Sequence, residues 1–243
     1  MADLSRGKKI VLEAARRLTE ERYLVGTGGN VSMLIEGEEL LAITPSSMDY
    51  LGLKESDICI VDFNRNVVEG EHRPSVETGM HLSVYQRRPD VNAVIHTHQV
   101  FPSLFALIGE SIPALFDEQV ANLGELVKWV PYGLSGSVDL LNNIAAAVDN
   151  NCNAFILQNH GAMSLGLDMD QAVRNVKLLD KVAQAYYLAL TTNKPISPLP
   201  PKMVETIFDL LKSEQRKEAR RKKKLGRGKD KEPAPNESGG DRA

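Results

Sequence analysis

The sequence predicts an α/β domain built in layers around a sheet that is at least partly antiparallel. Three observations carry this expectation. Strand-like runs alternate with helical ones along most of the chain, a hairpin pattern falls near its start, and an apolar content of 42% is enough for a sizeable core.

Residues 4–24 read as a helix, because Ile10, Val11, Ala14, Ala15, Leu18 and Tyr23 recur at helical spacing with charges between them. GTGGN (26–30) ends it, since three glycines in four positions allow positive φ and close backbone approach. VSMLIEGEELLAIT (31–44) then reads as a hairpin turning at Glu36–Glu38, around Gly37. TPSSMDYLGL is a loop, DICIVDF (57–63) a strand, and NRNVVEG a turn with a further short strand. Residues 76–90 read as a helix up to the break before Pro89, and VNAVIHTHQV (91–100) as the next strand. A short helix at 101–109, a strand at 126–130 and a helix at 137–149 follow. NAFILQNHG (153–161) reads as a buried strand, and 168–193 as a long helix. After PISPLPP (195–201), Met203, Val204, Ile207, Phe208 and Leu211 form the stripe of another amphipathic helix. From about Lys212 the apolar positions vanish, and the Gly, Pro and charge content predicts a disordered tail. The expected division is a folded domain at 1–211 and a basic tail at 212–243.

A net charge of -3 exerts no global pull toward nucleic acid or membrane, but it is unevenly spread. Residues 212–231 carry eleven Lys/Arg against three acids, a local +8, which leaves about -9 on residues 1–211. Two cysteines, Cys59 and Cys152, are too few for a disulfide framework and sit among apolar residues as buried thiols would. The N-terminal pattern is amphipathic and charged, unlike a signal peptide, and no apolar run reaches the roughly 20 residues that cross a bilayer. A cytoplasmic location is the expectation.

Five histidines are present, two of them as His96-Thr97-His98 in a predicted strand. Side chains two apart on a strand project from one face, so both imidazoles can reach one ion. His160 ends another apolar strand just before Gly161. Three imidazoles leave coordination positions open, as a catalytic Zn²⁺ requires; read alone, the same residues are also polar positions of edge strands. Glu77 opens a helix shortly before the HxH strand. A carboxylate beside a metal-bound substrate can carry a proton at a carbon next to a carbonyl, and equally an acid there can serve the helix dipole, with Ser75 as cap. GTGGNVS (26–32) and TPSS (44–47) offer glycines, an amide and hydroxyls that can cradle an anion, although neither has the spacing of a P-loop or dinucleotide fingerprint.

In their order, GTGGNVS, LAITPSSMDYLGL, SVETGMH, AVIHTH and LQNHGAM closely resemble the class II aldolase/adducin family over roughly residues 5–195. The resemblance implies a three-layer α/β/α sandwich around a largely antiparallel central sheet, assembled as a homotetramer. It implies one Zn²⁺ per chain on His96, His98 and His160, with Mn²⁺ or Co²⁺ able to occupy the same ligands. It places the catalytic acid/base at Glu77 and a phosphate cradle at Gly29, Asn30, Ser46, Ser47 and Ser75. Two positions depart from the family's pattern. Val76 replaces a second small hydroxyl residue before the glutamate, and LFDEQVANLG stands where a tyrosine is placed near Asp117. Asp117 and Glu118 are therefore candidates for an acid/base or substrate contact, or for surface and interface charges.

The function so implied is a metal-dependent aldolase, a carbon–carbon lyase cleaving a small sugar or sugar phosphate through a Zn-stabilised enediolate. Its partners would be a small sugar, a ketose phosphate or an aldehyde. The alternatives are an epimerase, decarboxylase or dehydratase using the same site, or a non-catalytic adducin-like scaffold with a basic C-terminal segment. The absence of a further histidine after His160 counts against epimerisation, and the histidine triad with Glu77 against a scaffold. The basic tail reads as a solvated extension, with weak electrostatic contact to RNA or an anionic surface as its functional alternative.

Overall fold

A computed structural model describes residues 3–229. The predicted hairpin forms from β1 (Asn30–Leu34) and β2 (Leu40–Ile43), in register from Ser32 opposite Ile43 to Leu34 opposite Leu41. β3 (Cys59–Asp62) and β4 (Val67–Glu69) extend it on one side, and β5 (Ala93–Thr97) pairs with the free edge of β1. β6 (Ile112–Pro113), β7 (Leu126–Val130), β8 (Ala154–Leu157) and β9 (Gly161–Gly166) complete the sheet. Among the described residues it has nine strands in the order β4-β3-β2-β1-β5-β9-β8-β7-β6. Every pairing is antiparallel except that of β7 with β8.

Seven α-helices accompany it among the described residues: α1 (Leu4–Glu20), α2 (Thr78–Arg87), α3 (Val100–Ile108), α4 (Asp117–Asn122), α5 (Val138–Ala147), α6 (Met169–Thr191) and α7 (Pro201–Lys229). Period-two alternation sends successive strand residues to opposite faces. Leu41, Ile43, Val61, Val94, Phe155 and Met163 pack with Met80 of α2, Ile144 of α5 and Phe208 of α7. Their neighbours Ala42, Ile60, Ala93 and Ile95 pack on the other face with α1 and α6. Farther along that face Ile156 and Ala162 meet Phe105 of α3 and Leu179 of α6. Two apolar cores on one sheet make the three-layer sandwich. Fully burying a side chain such as Ile95 contributes about 1.5 to 3 kcal/mol. Cys59 and Cys152 are buried free thiols. Among the described residues no helix is long and apolar enough to cross a membrane.

Caps set several boundaries. Asp3 accepts from the Arg6 N–H at the start of α1. At α6, Asp168 accepts from the Gln171 N–H while the Gln171 side chain accepts from the Leu167 N–H, a reciprocal arrangement. α1 stops at Glu20 rather than 24 because Arg22 turns to φ 63° and the Tyr23 and Leu24 N–H groups both return to the Leu18 carbonyl.

Three expectations need correction. NAFILQNHG is not one strand: Asn159, at φ 52°, reverses the chain, and GAMSLG runs back as β9. β6 and α4 were not expected, being too short to show a period. The predicted disordered tail is also wrong over 212–229, where α7 continues. Polar contacts hold this stretch. Gln215, 3% exposed, donates to the Asn151 carbonyl and to Asn153, Lys222 donates to the Val91 carbonyl, and Arg221 pairs with Glu36. A search for apolar stripes cannot see such an anchor. Residues 230–243, the rest of the predicted tail, lie outside the described residues.

Candidate active site and metal centre

The site forms where β1 and β5 run side by side and α2 covers them. Asn30 lies directly opposite His96 in the β1–β5 ladder. His98 follows the end of β5, and His160 sits in the β8–β9 turn. One ligand atom from each histidine lies within 4.8 Å of those of the other two. His96 Nε2 and His98 Nε2 are 2.9 Å apart.

Backbone contacts set this geometry. The His96 Nδ1–H donates to the Ala162 carbonyl at 2.9 Å, which fixes the tautomer and leaves the Nε2 lone pair facing the cluster. Gly161 lets the histidines approach β9, since a Cβ there would lie 2.4 Å from the Thr97 oxygen and 2.8 Å from His98 Cδ2. Gly29, at φ 81°, runs so close to β5 that a Cβ would lie 2.5 Å from the His96 oxygen. Burial pushes His96 down to about 4, with the neighbouring histidines adding to the shift and Glu77 opposing it. His98 is lowered too, by burial first and then by His160. Three imidazoles whose ring nitrogens converge within 4.8 Å are a donor set suited to a divalent cation, so the residues present fit a metal ion.

Glu77 is the N-cap residue of α2, yet its carboxylate makes no capping bond. Its Oε2 accepts from Asn30 Nδ2 at 2.8 Å and its Oε1 from Ser135 Oγ at 2.9 Å. The same oxygens lie 3.3 Å from His96 Nε2 and 3.2 Å from His160 Nε2. Burial to 5% exposure would raise its pKa, but the interactions with the neighbouring His160 and His96 rings and the Asn30 amide together outweigh burial. The carboxyl is held below the usual carboxylate range. The carboxylate thus faces the histidines and not the N–H groups of its own helix.

A cavity of about 300 Å³ brings these groups together with the predicted cradle. Gly29, Asn30, Ser46, Ser47 and Ser75 line it beside Glu77, His98 and His160. Ser75 Oγ accepts from the Glu77 N–H, which leaves its own hydrogen available to donate. No Lys or Arg is among the lining residues, so an anion here would meet hydroxyls and backbone rather than a side-chain cation.

Asp117 and Glu118 do not line this cavity. Both are exposed on α4, and Glu118 pairs with Lys181 of α6 at 2.8 Å. Ser135, by contrast, escaped the sequence reading, since nothing in GLSGS announces a partner 58 positions away. Ser32, His81 and Tyr85, which lie behind Asn30, were also missed, although Glu77-x-x-x-His81 at helical spacing was a usable signal.

A mixed sheet-and-helix sandwich with a metal-ready histidine triad and an adjacent carboxylate defines the class. The chain belongs to the family described as the class II aldolase and adducin N-terminal domain, whose sequence profile matches residues 9–187. It is 33% identical over 177 residues to an L-fuculose phosphate aldolase of Methanococcus maripaludis, covering 73% of this chain and 94% of that one. It is 29% identical to a 5-deoxy-D-ribulose 1-phosphate aldolase of Bacillus thuringiensis, covering 79% of this chain and 89% of that one. Among solved structures, an L-fuculose 1-phosphate aldolase superposes with a TM-score of 0.80 at 34% identity, covering 85% of this chain and 96% of that one.

Proposed function

We propose that this chain is a Zn²⁺-dependent aldolase that cleaves a small sugar phosphate by a retro-aldol reaction. The observation that carries the reading is the single cavity shared by His98, His160, Glu77 and the serine-lined loops. Two relatives named for sugar phosphates support it.

His96, His98 and His160 would hold the ion. When bound, it would supply Lewis-acid stabilisation to the enediolate left as the carbon–carbon bond breaks. The chain's own residues do the rest. Gly29, Ser46, Ser47 and Ser75 orient the phosphate through backbone and hydroxyl donors. Asn30 and Ser135 hold the Glu77 carboxylate against the substrate carbon. As the bond breaks, its electron pair stays on the carbon next to the carbonyl, and the hydroxyl of the departing fragment becomes the aldehyde oxygen. The hydroxyl proton passes to solvent, and Glu77, ionised at rest, picks up a proton from solvent and hands it to that carbon, taking it back when the reaction runs toward synthesis.

A scaffolding role gives no physical reason for three imidazoles converging beside a buried carboxylate. Asp117 and Glu118 take no part in the mechanism proposed. A homotetramer in the cytoplasm belongs to the same reading. Val76 at the cavity, and Leu134 and Val138 on either side of Ser135 in sequence, are 67%, 67% and 69% exposed, and this apolar rim supports cover by a second copy.

The test is metal analysis of the purified protein beside His98→Ala, followed by condensation of dihydroxyacetone phosphate with short aldehydes. About one zinc per chain, lost in the variant, with condensation only by the metal-loaded protein, is expected. A metal-loaded protein that neither condenses these substrates nor cleaves sugar 1-phosphates would overturn the proposal.

A further inference from the structure

The hydrogen bonds behind Glu77 run in one direction. Glu77, His81 and Tyr85 repeat every four residues on one face of α2, and Asn30 and Ser32 share one face of β1. The two faces meet in a buried polar chain. Asn30 Nδ2 is 2.8 Å from Glu77 Oε2, and Asn30 Oδ1 is 2.5 Å from His81 Nε2. His81 Nδ1 is 2.6 Å from Ser32 Oγ, which is 2.7 Å from the Tyr85 hydroxyl. His81 and Ser32 are fully buried, so water cannot substitute for a missing partner.

Charge dictates the polarity. A carboxylate only accepts, so Asn30 must turn its NH₂ toward Glu77 and its oxygen toward His81. His81 Nε2 must then carry the hydrogen, which leaves Nδ1 bare to accept from Ser32. Ser32, having donated, accepts from Tyr85. Burial pushes His81 down to about 3, so at neutral pH the ring carries one N–H and this pattern alone satisfies both of its nitrogens. Without the His81 donor the buried Asn30 oxygen is left without its partner, and the amide is no longer held on the line to Glu77.

We propose that His81 is a positioning residue: pinned as the Nε2–H tautomer by Ser32, it locks the Asn30 amide so that its N–H aims the Glu77 carboxylate. This rests on the reading of Glu77 as the proton carrier. His81 is neither one of the three clustered histidines nor a lining residue of the cavity, so its loss should spare metal and substrate binding and slow the proton step.

The experiment uses the zinc-reconstituted full chain and follows exchange of the carbon-bound proton of dihydroxyacetone phosphate with solvent deuterium by NMR. That reaction reports the proton step without bond cleavage. His81→Phe fills the space without a donor, and His81→Gln restores an amide N–H toward Asn30. Loss of an orienting partner of this kind costs roughly 10- to 100-fold. We expect His81→Phe to lose that much in exchange rate with zinc content and KM unchanged, and His81→Gln to recover most of it. A folded, zinc-loaded His81→Phe that exchanges like the wild type, or a His81→Gln as slow as the Phe variant, would overturn the proposal. Where the Phe variant fails to fold, Ser32→Ala takes its place, unpinning the tautomer with the ring retained. Several-fold slower exchange supports the proposal, and an unchanged rate overturns it. No exchange in the wild type would instead refute the role of Glu77, and the positioning of it along with that role.

Discussion

Replacing Gly161 by alanine adds one methyl group where β9 leaves the His160 turn. The new Cβ would lie 2.4 Å from the Thr97 carbonyl oxygen, 2.8 Å from His98 Cδ2 and 3.3 Å from His96 Cε1. The first contact is with backbone and cannot be relieved by a rotamer change. Because β5 and β9 are paired here, Thr97 opposite Ala162, relief requires the strands to part or the turn to shift by roughly 1 Å. Overpacking of this kind costs about 1 to 3 kcal/mol. For a chain of this size that lowers Tm by roughly 2 to 12 °C. The turn also carries His160, so the shift separates the ligands, and metal affinity should fall by roughly 10- to 100-fold. Zinc affinity measured by competition with a chelator, beside the melting curve of the metal-free protein, separates the two effects. Wild-type affinity together with an unchanged Tm would refute the claim that Gly161 is required by close approach.

Three further predictions test other parts of the structure. Glu77→Gln should keep its zinc yet lose roughly 100-fold or more in proton exchange at the substrate carbon; retained exchange would show that another group carries the proton. Truncation after Leu211 should lower Tm, because Gln215, Glu218, Arg221 and Lys222 anchor α7 to the domain; an unchanged melting curve would show those contacts to be idle. Burial pushes Lys222 down to about 8, so between that value and its ordinary pKa near 10.5 the unfolded chain binds more protons than the folded one. Stability should therefore gain from Lys222 as pH rises through this window. Denaturant melts at pH 8 and 10 should show a smaller gain in Lys222→Met than in the wild type, and equal gains would contradict the assignment.

Much of the site was readable because its signals are local. His96 and His98 declare a shared face through strand periodicity alone, and the glycine-bounded turns at 26–30 and 161 mark places where backbone comes close. The hairpin at 31–44 was equally plain, since the turn at Gly37 interrupts two apolar runs. Other features carry no local mark. The break between β8 and β9 depends on Asn159 adopting positive φ inside a segment whose apolar residues continue on both sides. The helix at 212–229 depends on polar partners contributed by Glu36, Val91, Asn92 and Asn151.

By itself the sequence determined the alternation of elements, the two faces of each strand and the residue types able to bind a metal, because these follow from backbone periodicity and side-chain chemistry within a few positions. Only the tertiary structure decided where those groups point. It turned the Glu77 carboxylate away from capping its own helix and toward His96 and His160, brought Ser135 to it, and left Asp117 and Glu118 outside the cavity. It also drew Asn30 into the chain through His81 and Ser32. The physical reason is that a buried polar group must find its partner wherever packing brings one, and the order of β1, β5 and β9 in the sheet sets that meeting.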